Sequence, residues 1–190
     1  MPPKTLYISE GHIMMQVETI ESRFIFNTEV NNINYVTDNE GKQLGFLKSS
    51  NGNNIIFTKD LEGIDVAIEH YPDGTKVFHM EKDSKGLPAM HEFKPDGTEI
   101  IYLFDVNKRL EKVVELKING DKLTTWFSID GESITQEQRQ NHGILFTMNS
   151  HGRSAVIWLQ PDGAVETHGH DKLIKHLITV FNKYLDGCEI

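Results

Sequence analysis

The chain has 190 residues, 38% of them hydrophobic, with 19 Lys plus Arg against 28 Asp plus Glu and a formal net charge of −9. That balance suits one folded domain with much wet surface and excludes the disordered class; the acidic excess, spread along the chain, excludes a nucleic-acid binder that works through a basic face. With a single cysteine, Cys188, no intrachain disulfide forms, and no run nears the roughly 18 apolar residues of a membrane-spanning helix, so a soluble protein of the reducing cytoplasm is expected.

In chain order, residues 1–40 read as N-terminal strands, with His12–Thr19, Arg23–Thr28 and Ile33–Thr37 as candidates and an Asn-rich stretch between them. From there the chain is ruled by turn glycines: Gly41, Gly52, Gly63, Gly74, Gly86, Gly97, Gly120, Gly131, Gly152 and Gly163. Most steps are 11 residues; the two long ones, Gly97 to Gly120 and Gly131 to Gly152, are near double steps with one turn glycine missing or displaced. Such spacing is the mark of short antiparallel strands joined by tight turns. In Tyr71-Pro72-Asp73-Gly74-Thr75 and Lys94-Pro95-Asp96-Gly97-Thr98, Pro presets the first central φ, Asp bonds the backbone ahead, and Gly takes the positive φ.

The strands expected between these turns are Asn53–Lys59, Ile64–Tyr71, Thr75–Lys82, Leu87–Phe93, Thr98–Phe104, Leu110–Ile118, Lys122–Ile129, Ile144–Met148, Arg153–Leu159 and Ala164–Thr167. Ile64, Val66, Ile68 and His70 alternate with Asp65, Ala67, Glu69 and Tyr71, which predicts one buried and one wet face. Ile100 to Phe104 is apolar on both faces, as a central strand covered twice would be. The regular pattern lapses at Glu132–Asn141, nearly devoid of apolar residues, and reads as a solvated loop or short surface helix. From Asp171 to Asp186 the period turns helical: Leu173, Ile174, Leu177, Ile178, Phe181, Tyr184 and Leu185 make one stripe, with Asp171 as N-cap and Gly187 just past the end.

The stretch Pro95-Asp96-Gly97-Thr98 through Phe104-Asp105 to Arg109-Leu110 resembles the YD (RHS-type) repeat, although Lys108 stands where that family has glycine. Tyr71–Thr75 and its neighbours are similar to MORN-like and centriolar G-box hairpin repeats. These resemblances imply a repetitive β-sheet used as a shell, scaffold or binding surface, with no catalytic residues to carry over.

Candidate chemistry is sparse. His168, His170 and Asp171 have the composition of metal ligands, two imidazoles at i and i+2 pointing the same way on an extended strand, though a polar strand-to-helix junction explains them as well. No nucleophile elbow, phosphate loop or dinucleotide fingerprint is present, so the reading leans away from an enzyme and calls for no cofactor. Trp126 and Trp158 oppose the apolar sets of their strands, and with Tyr102 they are the candidate anchors for a protein partner.

The expectation is therefore a mainly β single domain of 1–190: N-terminal strands over 1–40, β-hairpin repeats over 41–168 and a C-terminal helix over 170–187. Its long antiparallel meander of about 10–13 strands is curled or partly closed, with the amphipathic helix packed on it. Its function is read as non-catalytic protein binding or scaffolding, with association of copies through sheet edges as a further possibility. The alternatives are a metal-dependent site at the His168/His170 junction and a small-ligand or lipid-binding barrel wrapped round the helix.

Overall fold

A computed structural model describes residues 34–37, 43–48, 52–59, 63–80 and 86–185. Within them run β1 (Asn34–Thr37), β2 (Gln43–Lys48), β3 (Asn54–Lys59), β4 (Asp65–His70), β5 (Lys76–Met80), β6 (Ala89–Phe93), β7 (Glu99–Phe104), β8 (Leu110–Leu116), β9 (Lys122–Phe127), β10 (Ser133–Arg139), β11 (Gly143–Ser150), β12 (Arg153–Leu159), β13 (Val165–Gly169) and α1 (Asp171–Leu185). All described strands form one 13-stranded antiparallel sheet in chain order. Among the described residues β1 and β13 each have one strand partner, so the sheet they form is not closed into the barrel of the alternative reading. The expected N-terminal strands His12–Thr19 and Arg23–Thr28, like Gly187 and Cys188, lie outside the described residues.

One turn recurs along the sheet. At Tyr71–Gly74, Lys94–Gly97, Asp105–Lys108, Lys117–Gly120, Ser128–Gly131 and Gln160–Gly163 the fourth residue's N–H donates to the first carbonyl at 2.9 to 3.3 Å and takes a positive φ. In several of these turns an Asp or Asn third in line accepts a backbone N–H two residues on, as Asp73 does from Thr75 (2.8 Å) and Asp96 from Thr98 (2.9 Å). Lys108, at φ 60°, occupies the place of the glycine missing between Gly97 and Gly120. The second gap is filled by a displaced turn ending at Gly143, φ 80°.

Two expectations are corrected. Glu132–Asn141 is neither loop nor helix: Ser133–Arg139 is β10, paired along its whole length with β11 and from Ser133 to Gln138 with β9. A strand between two others needs its backbone groups paired, not apolar side chains; Thr135 and Thr125 answer each other through their hydroxyls at 3.1 Å, and only Ile134 packs inward. On β4 no face is wet. Val66 is buried on one side, and Ala67 and Glu69 on the other are both fully buried.

The register explains this, because burial changes sides along the sheet. On the face holding Ile55, Glu69, Val77, Glu92 and Ile100, β2 to β7 bury Leu47, Ile55, Phe57, Ala67, Val77, Met90, Ile100 and Phe104. We call this the groove face. On the opposite, helix face the fully buried residues are Phe146 and Met148 of β11 and Ala155 and Ile157 of β12, under Leu177 and Phe181 of α1. Phe146 meets Phe181 and Tyr184 edge-on, with centroids 5.5 and 5.1 Å apart. The predicted helix thus docks on the sheet, but over β11 to β13 alone. His170, not Asp171, is its N-cap: the His170 carbonyl accepts from Ile174 N–H at 3.0 Å, and Asp171 opens the first turn.

Candidate functional site

A row of directly paired residues crosses the groove face as Ile55, Glu69, Val77, Glu92, Ile100, Glu115, Leu123, Glu137 and Leu145. Carboxylate and aliphatic alternate because each glutamate precedes its aliphatic neighbour by eight residues across a turn: Glu69 and Val77, Glu92 and Ile100, Glu115 and Leu123, Glu137 and Leu145. The repeating unit is therefore a pair of strands, and successive carboxylates stand about 10 Å apart. Each is answered locally: Glu115 by Lys117 at 3.8 Å, Glu137 by Arg139 at 2.5 Å, Glu92 by Tyr102, Glu69 by Asn53 and His79.

Around Glu92 the face opens into a groove of about 440 Å³. Alternation along the strands aims Val77 of β5, Met90 and Glu92 of β6, and Tyr102 and Phe104 of β7 the same way; Tyr71, Asp73 and Thr75 of the β4–β5 turn and Leu110 of β8 close its ends. Val77, Met90 and Phe104 form its buried apolar floor, against which Tyr71, Tyr102 and Leu110 pack. Tyr102 O–H donates to Glu92 Oε2 at 2.7 Å. Burial, then the hydrogen bond and charge of Glu92, push the Tyr102 phenol up, and burial together with Glu69 lifts Tyr71 to about 12, so both stay protonated donors.

Glu69 is fully buried beside the groove. Its carboxylate accepts from Asn53 Nδ2 at 2.6 Å and meets His79 Nε2 at 3.2 Å. Burial alone would raise its pKa, but the hydrogen bonds from His79, Asn53 and Tyr71 and the charge of His79 together hold it below the usual carboxylate value.

The three aromatics singled out in the sequence do not share a surface. Tyr102 lies in the groove. Trp158 is on the groove face but at β12, 37% exposed, its indole N–H donating to the His142 carbonyl at 3.0 Å. Trp126 is on the helix face, paired with Ile134, and Lys112 Nζ sits 5.2 Å from its ring centroid. His168 is exposed on β13, 3.7 Å from Glu166, whereas His170 lies past the strand end with its Nε2 3.2 Å from Arg153 Nη1. No group of three or more His, Cys, Asp or Glu side chains able to hold a metal ion occurs among the described residues. Nor, among them, is any helix long and apolar enough to cross a membrane.

The arylesterase family model matches residues 47–187, from the end of β2 through α1, a span that includes the whole groove. The chain belongs to the arylesterase family. No curated protein matches it significantly. At the β11–β12 turn a serine and a histidine side chain meet. Ser150 Oγ lies 3.0 Å from His151 Nδ1 but donates its one proton to Glu132 Oε1 at 2.6 Å. The imidazole then donates to the hydroxyl instead of taking its proton, the reverse of what an activated serine needs.

The groove residues Tyr71, Glu92 and Met90, and the buried Asn53, Glu69 and His79, were not singled out in the sequence. The available signal was the recurrence of Glu69, Glu92 and Glu115 every 23 residues, each eight before an aliphatic residue.

Proposed function

We propose that the chain is a binding member of the arylesterase family whose groove takes a small aromatic ligand carrying a hydrogen-bond donor. The observation that carries this is the Glu92 carboxylate set among Val77, Met90, Phe104 and Tyr102 in a recess of about 440 Å³, a size suited to a one-ring molecule. The apolar floor takes the ring, and the carboxylate accepts the donor. Binding is favoured over turnover because the phenol of Tyr102 is committed to Glu92 and that of Tyr71 interacts with Glu69, which leaves neither aimed at a developing oxyanion.

The family match favours a second reading, hydrolysis of an aryl ester, the class with the least demanding leaving group since a phenol ionises near pH 10. In that case Glu92 accepts a proton from a water whose oxygen attacks the ester carbonyl carbon, the acyl C–O bond to the aryl group breaks, and phenolate departs and leaves the carboxylic acid. A third consideration, the resemblance of Pro95–Leu110 to YD repeats together with the wholly exposed edge strand β13, supports a scaffold role toward a protein partner.

Titration calorimetry with phenol and turnover of phenyl acetate test the first two readings together. Saturable phenol binding that is lost in Met90→Trp, which fills the groove, and weakened in Glu92→Gln is the expected outcome. Hydrolysis of phenyl acetate above the Met90→Trp background adds the second reading. Absence of saturable binding up to the millimolar range, or binding indifferent to Met90→Trp, overturns the groove as the site.

A further inference from the structure

Of the carboxylates in the row across the groove face, Glu69 has His79 and Asn53, Glu115 has Lys117, and Glu137 has Arg139. Among the described residues Glu92 has only the Tyr102 phenol, a neutral donor. Lys94 stands two residues on from Glu92, as Lys117 does from Glu115, but it is exposed in the β6–β7 turn, where its charge acts on Asp96. The row therefore lacks a nitrogen partner at the glutamate where the face opens into the groove.

The surroundings of Glu92 are acidic as well. Among the described residues lining the groove are Asp73 and Glu92 but no Lys, Arg or His. Once burial has raised the two phenols, carboxylates raise them further: Glu69, Glu92 and Asp73 act on Tyr71, and Glu92 and Glu115 on Tyr102. Asp73 is ionised at neutral pH, its carboxyl held below the usual range by hydrogen bonds from the N–H and hydroxyl of Thr75. A carboxylate beside an apolar floor has given up part of its hydration, and a cation held against it offsets that loss. Val77 of the floor is paired directly with Glu92. Side chains so paired stand about 5 Å apart, so a ring seated on the floor reaches the carboxylate through an arm of one or two carbons.

We propose that the ligand of the groove is a protonated arylalkylamine, its ring on Val77, Met90 and Phe104 and its ammonium on Glu92. This rests on the groove being the binding site, as in the preceding reading, and specifies the donor as an ammonium. An alkylammonium keeps its proton up to about pH 10, so at pH 7 it brings a full charge to the carboxylate. An alcohol of the same shape brings the ring and a donor without the charge, and an aryl carboxylate is repelled.

The experiment is titration calorimetry of the full chain at pH 7 with 2-phenylethylamine, 2-phenylethanol and phenylacetate. The amine is expected to bind saturably and about tenfold or more tighter than the alcohol, the gain of a charge-assisted contact over a neutral one, with phenylacetate the weakest of the three. Raising the salt concentration should weaken the amine and leave the alcohol unchanged. Glu92→Gln should bring the amine close to the alcohol, and continued binding of the alcohol shows that the groove of that variant is intact. Equal affinity of amine and alcohol, or an advantage of the amine that survives in Glu92→Gln or at high salt, overturns the ammonium and leaves the groove standing as an aromatic site. Absence of saturable binding by both amine and alcohol overturns the groove itself, and the ammonium with it.

Discussion

Glu69 keeps its charge in a fully buried position because three side chains compensate for the water it has lost. Its folded pKa lies below the unfolded value of 4.5, so the stability it contributes is present above that value and is lost as pH falls through the folded one. Glu69→Gln should therefore lower stability at pH 7 and flatten the acid limb, which urea midpoints measured from pH 7 to pH 3 will read. Glu69→Ala, which takes the carboxylate from Asn53 and His79, should cost about 3–5 kcal/mol. Tyr71 runs the other way. Raised to about 12, it contributes stability fully present below pH 10 that disappears as pH climbs toward 12, and Tyr71→Phe should remove that alkaline step. None of this was legible in Ile64–Tyr71, where alternation predicted one buried and one wet face and gave no sign of a buried carboxylate. A carboxylate looks the same in a sequence whether water or a distant Asn and His surround it.

At the scale of elements, the turns were the most legible part of the chain, because a four-residue turn closed at a positive φ is settled within five residues. They also stack: a Cβ on Gly74 would meet Pro95 at 3.5 Å, and one on Gly97 would meet Ile118 Cδ1 at 3.1 Å. Gly97→Ala therefore combines left-handed strain at φ 84° with a crowded contact. Lys108 bears the same φ penalty in the native chain. Lys108→Gly should relieve about 1–2 kcal/mol of strain, less the backbone entropy of glycine, for a net gain near 0.5–1 kcal/mol in denaturant unfolding. The helix was equally plain, since a 3.6-residue stripe over four turns has no other reading. Phe181→Ala, at a side chain 5% exposed against Phe146, should cost about 3–5 kcal/mol at the β11–β12 end. β10 escaped notice because its strand character comes from β9 and β11, which hydrogen-bond it on both sides, and not from its own side chains.

Among the described residues every strand lies beside only its neighbours in sequence, and the helix packs over only the last three strands. Such a chain behaves as a one-dimensional array, where stability is a sum of local units and nearest-neighbour terms. Amide hydrogen exchange should therefore be graded: slow in β3 to β7 and in β11 and β12, where the buried side chains lie, and fast in β13, exposed throughout. A single global rate for all slow amides, with β13 as protected as β12, would contradict that picture.

By itself the sequence determined what is local: the turn positions, the mainly β class, a strand count within the expected range and the terminal amphipathic helix, all products of backbone conformation within a few residues. It also marked the two breaks in the glycine spacing as turns, later seen at Lys108 and Gly143. Only the tertiary structure decided which face of each strand is inside, that the sheet stays open, and that Glu92 and Tyr102 meet over an apolar floor. Those outcomes depend on register between strands, and a pleat of period two offers two equivalent faces until pairing with a neighbour selects one.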